Sequence, residues 1–113
     1  MNKRAKGNEK EKVAMEYLIS RGFLPLGKNY TVKGGEIDLI MQDGEFIVFI
    51  EVKSLEDNNT FSIYESLSKT KKKRLKFAIN RWLYRNNKLD AIWRVDFIGL
   101  TRDKIEHFKF IEL

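Results

Sequence analysis

The 113-residue sequence predicts a single α/β domain with a central mixed sheet flanked by helices. Three observations predict it. Apolar residues recur at helical spacing in two separate stretches. Between them lie two runs of alternating apolar residues around an Asp-Gly turn signal, and two further strand-like runs close the chain.

The elements follow in order. Residues 1–8 hold Lys3, Arg4 and Lys6 and read as a mobile basic arm. Glu9 to Arg21 read as a helix, because Val13, Ala14, Tyr17 and Leu18 fall on one face. Gly22 is its stop signal. Phe23 to Val32 are extended, interrupted by Pro25 and Gly27, and Gly34-Gly35 make a turn. Glu36 to Gln42 and Glu45 to Ser54 read as two strands joined by an Asp43-Gly44 hairpin loop. Leu55 to Thr60 are polar and read as a loop. A second helix spans roughly Ser68 to Asn86, with Leu75, Ala78, Ile79, Trp82 and Leu83 at helical spacing. Ile92 to Leu100 and Ile105 to Ile111 are strands, with Thr101 to Lys104 as the turn between them.

Composition narrows the chemistry. Cysteine is absent and His107 is the single histidine, which excludes disulfides, zinc ribbons and Cys- or His-dyad catalysis. A bound metal would therefore need oxygen ligands, which favours Mg²⁺ or Mn²⁺. The net charge of +6 points to a polyanionic partner, with nucleic acid the commonest, or to a solvated lysine-rich surface. No apolar run is long enough to cross a bilayer, so no membrane role is expected. The first residues hold no apolar leader, so the cytoplasm is the expected compartment.

The hairpin gathers charge. With a two-residue Asp43-Gly44 loop, Gln42 faces Glu45, Ile40 faces Ile47, Asp38 faces Phe49 and Glu36 faces Glu51. Side chains alternate, so Asp38, Glu51 and Lys53 project from one face, with Asp38 and Glu51 as diagonal neighbours about 7–8 Å apart. Ile37, Leu39 and Met41 point to the other face. Ile40, Ile47 and Phe49 share the charged face, so part of it must be covered, and buried charges need partners or a metal. Two or three carboxylates and a lysine at such a spot suit a divalent cation acting on a phosphodiester. They equally describe a rim of solvated ion pairs.

Two further features bear on the site. At about 100° per residue, Glu11 falls on the apolar arc of the first helix and points toward the sheet. The helix dipole explains an acid in the first turn but not its inward direction. Lys69, Lys71, Lys72, Lys73, Arg74 and Lys76 make six of the eight positions 69–76 basic at the start of the second helix. Cations oppose the dipole there, so either a phosphate backbone or plain solvation accounts for them. Tyr30, Tyr64 and Trp93 fit base stacking or core packing, and His107 reads as structural.

Met15 to Tyr30 (MEYLISRGFLPLGKNY), GGEIDLI at Gly34 to Ile40, FIEVK at Phe49 to Lys53 and RVDFIGL at Arg94 to Leu100 together resemble the YraN-type family of bacterial proteins, named as endonucleases by prediction. The resemblance spans nearly the whole chain. It implies a restriction endonuclease-like αβββαβ core, akin to Holliday-junction resolvases of the PD-(D/E)XK nucleases. It implies a Mg²⁺- or Mn²⁺-dependent endonuclease acting on DNA, branched or single-stranded, with a nucleic-acid-binding module of the same fold as the alternative. Asp38, Glu51 and Glu11 are the implied metal ligands, with the Val52 carbonyl as a further candidate, and Lys53 is the implied catalytic lysine. A resolvase of this kind would work as a homodimer, though no dimer surface stands out in the sequence. Two positions depart from the family pattern: Lys10 stands where a glycine is common, and Leu55 where an arginine is common.

Overall fold

A computed structural model of the chain describes the backbone of residues 3–54 and 67–113, and the side chains of 9–54 and 67–113. The expected loop at 55–60 and Tyr64 lie outside the described residues. The described elements run α1 (Lys3–Ser20), β1 (Leu24–Val32), β2 (Gly35–Asp43), β3 (Phe46–Ser54), α2 (Lys69–Arg85), β4 (Trp93–Leu100) and β5 (Ile105–Phe108). The five strands form one sheet in the order β1-β2-β3-β4-β5. Only β3 and β4 pair in parallel, and α2 lies in the connection that a parallel pair requires. The result is an α/β fold with a mixed sheet and an αβββαβ core of restriction endonuclease-like order, to which β5 is appended.

Local chemistry sets the element ends. α1 closes in a Schellman motif: Gly22 has φ +94°, its N–H donates to the Ile19 carbonyl, and the Phe23 N–H reaches back to the Leu18 carbonyl, both at 3.0 Å. Phe23 and Leu18 then pack in the same core. α2 is capped by Ser68, whose hydroxyl accepts from the Lys71 N–H at 3.2 Å.

The sheet is covered on both faces. Ala14 and Leu18 of α1 pack with Phe23, Leu39, Met41, Val48, Ile50 and Val52 on one face. Leu75, Ala78, Ile79 and Leu83 of α2 pack with Ile37, Ile40, Ile47 and Phe49 on the other. Gly35 lets α2 approach, since a Cβ there would overlap the Arg74 carbonyl oxygen and stand 3.2 Å from the Ala78 methyl. No helix among the described residues is long and apolar enough to cross a membrane.

Several sequence expectations need correction. α1 starts at Lys3, not at Glu9, so the backbone of 3–8, expected as an arm, is helical. Val13 is 42% exposed and outside the buried face of α1, which runs through Glu11, Ala14 and Leu18. The first turn is at Lys33-Gly34, and Gly35 already belongs to β2. β5 ends at Phe108, short of the expected Ile111. The hairpin loop is Gly44-Glu45, because Asp43 pairs with Phe46, Gln42 with Ile47, Ile40 with Phe49 and Leu39 with Ile50. Gly44 at φ +60° occupies the first loop position, as in a type II′ turn.

Ile37 also departs from expectation. Alternation puts it beside Leu39 and Met41, yet it packs in the α2-side core. Strict alternation therefore fails across Asp38. In β1 the pairs Lys28–Leu39 and Tyr30–Ile37 bracket Asn29, which has φ +52°. The left-handed residue stands opposite the position where β2 changes face.

Candidate active site

The β2–β3 ladder ends at the Leu39–Ile50 pair, and the next step brings Asp38 opposite Glu51. The diagonal relation expected from the Asp43-Gly44 loop is thus replaced by a direct one. The pairing differs by an even number of residues, so the two side chains stay on facing positions. In place of the next ladder bond, the Asp38 carboxylate reaches across and accepts the Val52 N–H at 2.8 Å. The charge of the same carboxylate acts on Glu51. The site sits where the two strands part, at the carboxyl ends of the parallel strands β3 and β4, which is where open α/β sheets place ligands.

Burial acts on all three acids. Glu51 is pushed up to about 7, first by burial and then by the Asp38 charge, against the pull of Lys71 and Lys10. Glu11 is also raised to about 7, by burial and by Asp38, with Lys10 opposing. Asp38 is raised by burial, and the Val52 N–H and Lys10 hold it down. Asp38 is therefore the charge that acts on both other acids, Glu11 on α1 and Glu51 on the strand opposite. Glu11 is 7% exposed, so its inward direction holds.

The other expected residues divide. Lys53 lies two residues beyond Glu51 on β3, half-buried and opposite Gly99 of β4. Lys71 pairs with Glu51 at 3.5 Å. Lys71 and Arg74 line a small cavity of about 60 Å³ with Glu36, Glu51, Leu67 and Leu75. Lys69, Lys73 and Lys76 are exposed along the start of α2, and Lys72 is half-buried. Of the six, Lys71 and Arg74 are brought to the carboxylates, while the others extend the basic surface away from them. Tyr30 and Trp93 pack against the α2-side core, which favours the core reading of both. His107 bonds Asp96 at 2.8 Å, in a network with Arg94 that takes in none of the three acids, in keeping with a structural role.

The donor set is all oxygen, which suits Mg²⁺ or Mn²⁺, and its acids are buried where a cation would relieve them. Yet among the described residues no three acidic or histidine side chains converge ready to hold a metal. Lysines hold the groups instead. Lys10 Nζ donates to the Val52 carbonyl at 2.9 Å, and Lys71 holds Glu51. Sequence reasoning missed this position of Lys10. It also missed Asn29, whose carboxamide, turned with its nitrogen toward Glu11, donates to both carboxylate oxygens. The one signal for Asn29 was an Asn two residues after Gly27 in an interrupted strand, where left-handed backbone is tolerated.

The model of the uncharacterised protein family UPF0102 matches residues 10–100. The chain belongs to this family. It is the family to which the YraN-type resemblance pointed. A UPF0102 protein of Carboxydothermus hydrogenoformans is 42% identical over 90% of this chain and 86% of its own length. One of Pseudoalteromonas translucida is 33% identical over 98% of this chain and 90% of its own. A third, of Saccharophagus degradans, is 37% identical over 88% and 86%. The UPF0102 span takes in Glu11, Asp38, Glu51, Lys53 and all six basic residues of α2.

Proposed function

We propose that the protein is a Mg²⁺- or Mn²⁺-dependent endonuclease of the PD-(D/E)XK type that hydrolyses phosphodiester bonds in DNA. The observation that carries this reading is the meeting of Asp38 and Glu51 where β2 and β3 part, with Lys53 two residues further along β3. Asp38, Glu51 and Glu11 would hold the metal, with the Val52 carbonyl. Such an ion supplies Lewis acidity and an activated water. Lys53 would donate to a non-bridging phosphate oxygen as negative charge develops there. Lys71 and Arg74 would hold the adjoining phosphate, and Lys69, Lys72, Lys73 and Lys76 the backbone beyond it. Symmetric cutting of a branched substrate would take a homodimer, and a DNA substrate would place the protein in the cytoplasm.

A second reading is a nucleic-acid-binding module that keeps the fold and does not cut. The engagement of the acids by Lys10 and Lys71 favours it. One experiment separates the two. The chain is incubated with branched, nicked and single-stranded DNA in Mn²⁺, beside Asp38→Asn and Lys53→Ala. The nuclease reading expects cleavage that falls by about 10²-fold or more in each variant, the scale of losing a transition-state donor. Cleavage that survives both substitutions removes Asp38 and Lys53 from the chemistry. Binding without cleavage of any substrate selects the module.

A further inference from the structure

Val52 presents both of its backbone polar groups to the cluster. Its N–H is bound by Asp38 and its carbonyl by the Lys10 ammonium, at 2.8 and 2.9 Å. Lys10 directly precedes Glu11 on α1, and its ammonium reaches the Val52 carbonyl of β3. Its charge lowers Glu11, Asp38 and Glu51 alike, whereas Lys28 acts on Glu11 and Lys71 on Glu51. One lysine thus bonds the carbonyl and exerts its charge on all three carboxylates.

We propose that the Lys10 ammonium is the resident counter-ion of the carboxylate cluster and competes with a divalent cation for it, so that metal binding requires Lys10 to leave the Val52 carbonyl. The inference rests on the metal-site reading above. A hard cation seeks the carbonyl oxygen that the ammonium bonds and the carboxylates that its charge offsets, and two cations cannot share that place without repulsion. The structure also gives the side chain a place to go. A groove of about 470 Å³ adjoins it, lined by Lys10 itself with Glu9, Val13, Ser54, Asp103 and Lys104. Glu9 and Asp103 offer carboxylates to the displaced ammonium, and the flexible four-carbon stem of a lysine allows the swing. Lys10 is in this view a selectivity element: it keeps the acids compensated and sets how much metal the site demands.

The test uses the full chain and Mn²⁺ alone, titrated calorimetrically. Lys10→Met keeps the stem and removes the charge; Lys12→Met removes the same charge from an exposed position of α1. Lys10→Met is expected to bind Mn²⁺ about tenfold more tightly than wild type, with Lys12→Met unchanged. Equal affinity of wild type and Lys10→Met overturns the inference and leaves the metal site standing. A gain in Lys12→Met as large as in Lys10→Met also overturns it, since net charge would then explain both. Absence of Mn²⁺ binding by wild type and variants alike overturns the metal reading and this inference with it. A second measurement needs no variant. Amine acetylation of the wild-type chain, mapped by peptide mass, should be slow at Lys10 and should accelerate in saturating Mn²⁺ while Lys12 stays constant. A Lys10 rate indifferent to saturating Mn²⁺ overturns the inference.

Discussion

Glu11 and Glu51 hold their protons to about 7, against an ordinary 4.5, chiefly because burial disfavours their charged forms. The consequence for stability has a definite sign. A carboxyl whose folded pKa lies above its unfolded value makes the folded state bind more protons, so its stabilisation is complete below about 4.5 and is lost as pH rises through about 7. With a chelator present, the denaturation midpoint of the wild-type chain should fall between those limits. Glu51→Gln imitates the protonated carboxyl and should flatten that fall, leaving the variant the more stable protein at about pH 8. Denaturant titrations at several pH values check this, and a wild-type midpoint that climbs across the window contradicts it. The identities of these acids could be read from sequence, and so could the direction of Glu11, because a 100° helical step is rigid. The partners that hold them could not. Lys10 and Asn29 reach the acids and their strand across long sequence separations, and local periodicity carries no information about such pairings.

At the scale of elements, the hairpin shows why a shifted register still gathers the same residues. Asp43-Gly44 is a strong local turn signal, but Asp43 accepts from Arg94 at 2.8 Å and stays in the ladder, a tertiary bond that overrides the turn preference. The loop sits one residue further on, which changes each pairing by two and preserves the facing of side chains. Alternation fails only at Ile37, where the left-handed Asn29 distorts the neighbouring strand. The bounds of α2 were legible to within a residue, because Ser68 caps it and Asn86 closes it. Its placement was not, since Gly35 is read as a turn residue until the helix is seen resting on it. Gly35→Ala should push α2 off β2, cost about 1–3 kcal/mol as an overpacked site does, and weaken DNA binding through Lys71 and Arg74. Chemical denaturation and oligonucleotide titration measure the two effects. Alanine at Lys69, Lys73 and Lys76 should instead leave stability nearly unchanged. For every phosphate that these lysines neutralise, their removal should make the plot of log affinity against log salt shallower by about 0.7–0.9. An unchanged slope would return these lysines to mere solvation.

Across the whole molecule, two charged networks on the sheet are built for different purposes. One leaves its acids only partly compensated by lysines. In the other, Arg94 is sandwiched among Phe23, Phe46 and Phe110 and bonds both Asp43 and the fully buried Asp96. Asp96 also accepts from the Phe110 N–H at 3.2 Å and from His107, whose Nε2 must carry the proton because an ionised carboxylate only accepts. Burial alone would raise Asp96, but these donors outweigh it and hold its carboxyl below the usual range. The network joins β2, β4, β5 and the chain after it, so it fixes the strands on either side of β3, and Asp96 lies opposite Ile50, the residue before Glu51. Arg94→Met keeps much of the apolar packing against the three rings while leaving Asp96 without its guanidinium. Removing one partner of a buried pair typically costs about 3–5 kcal/mol, because the remaining charge stays desolvated. Asp43→Asn should cost far less, since Asp43 is one-third exposed and solvent screens its charge. If the acids work independently of this network, the Mn²⁺ affinity of Arg94→Met, measured under conditions where the variant is still folded, should match wild type. A loss of metal affinity in step with the loss of stability would instead show that the buried network sets the geometry of Asp38 and Glu51 through the strands beside them.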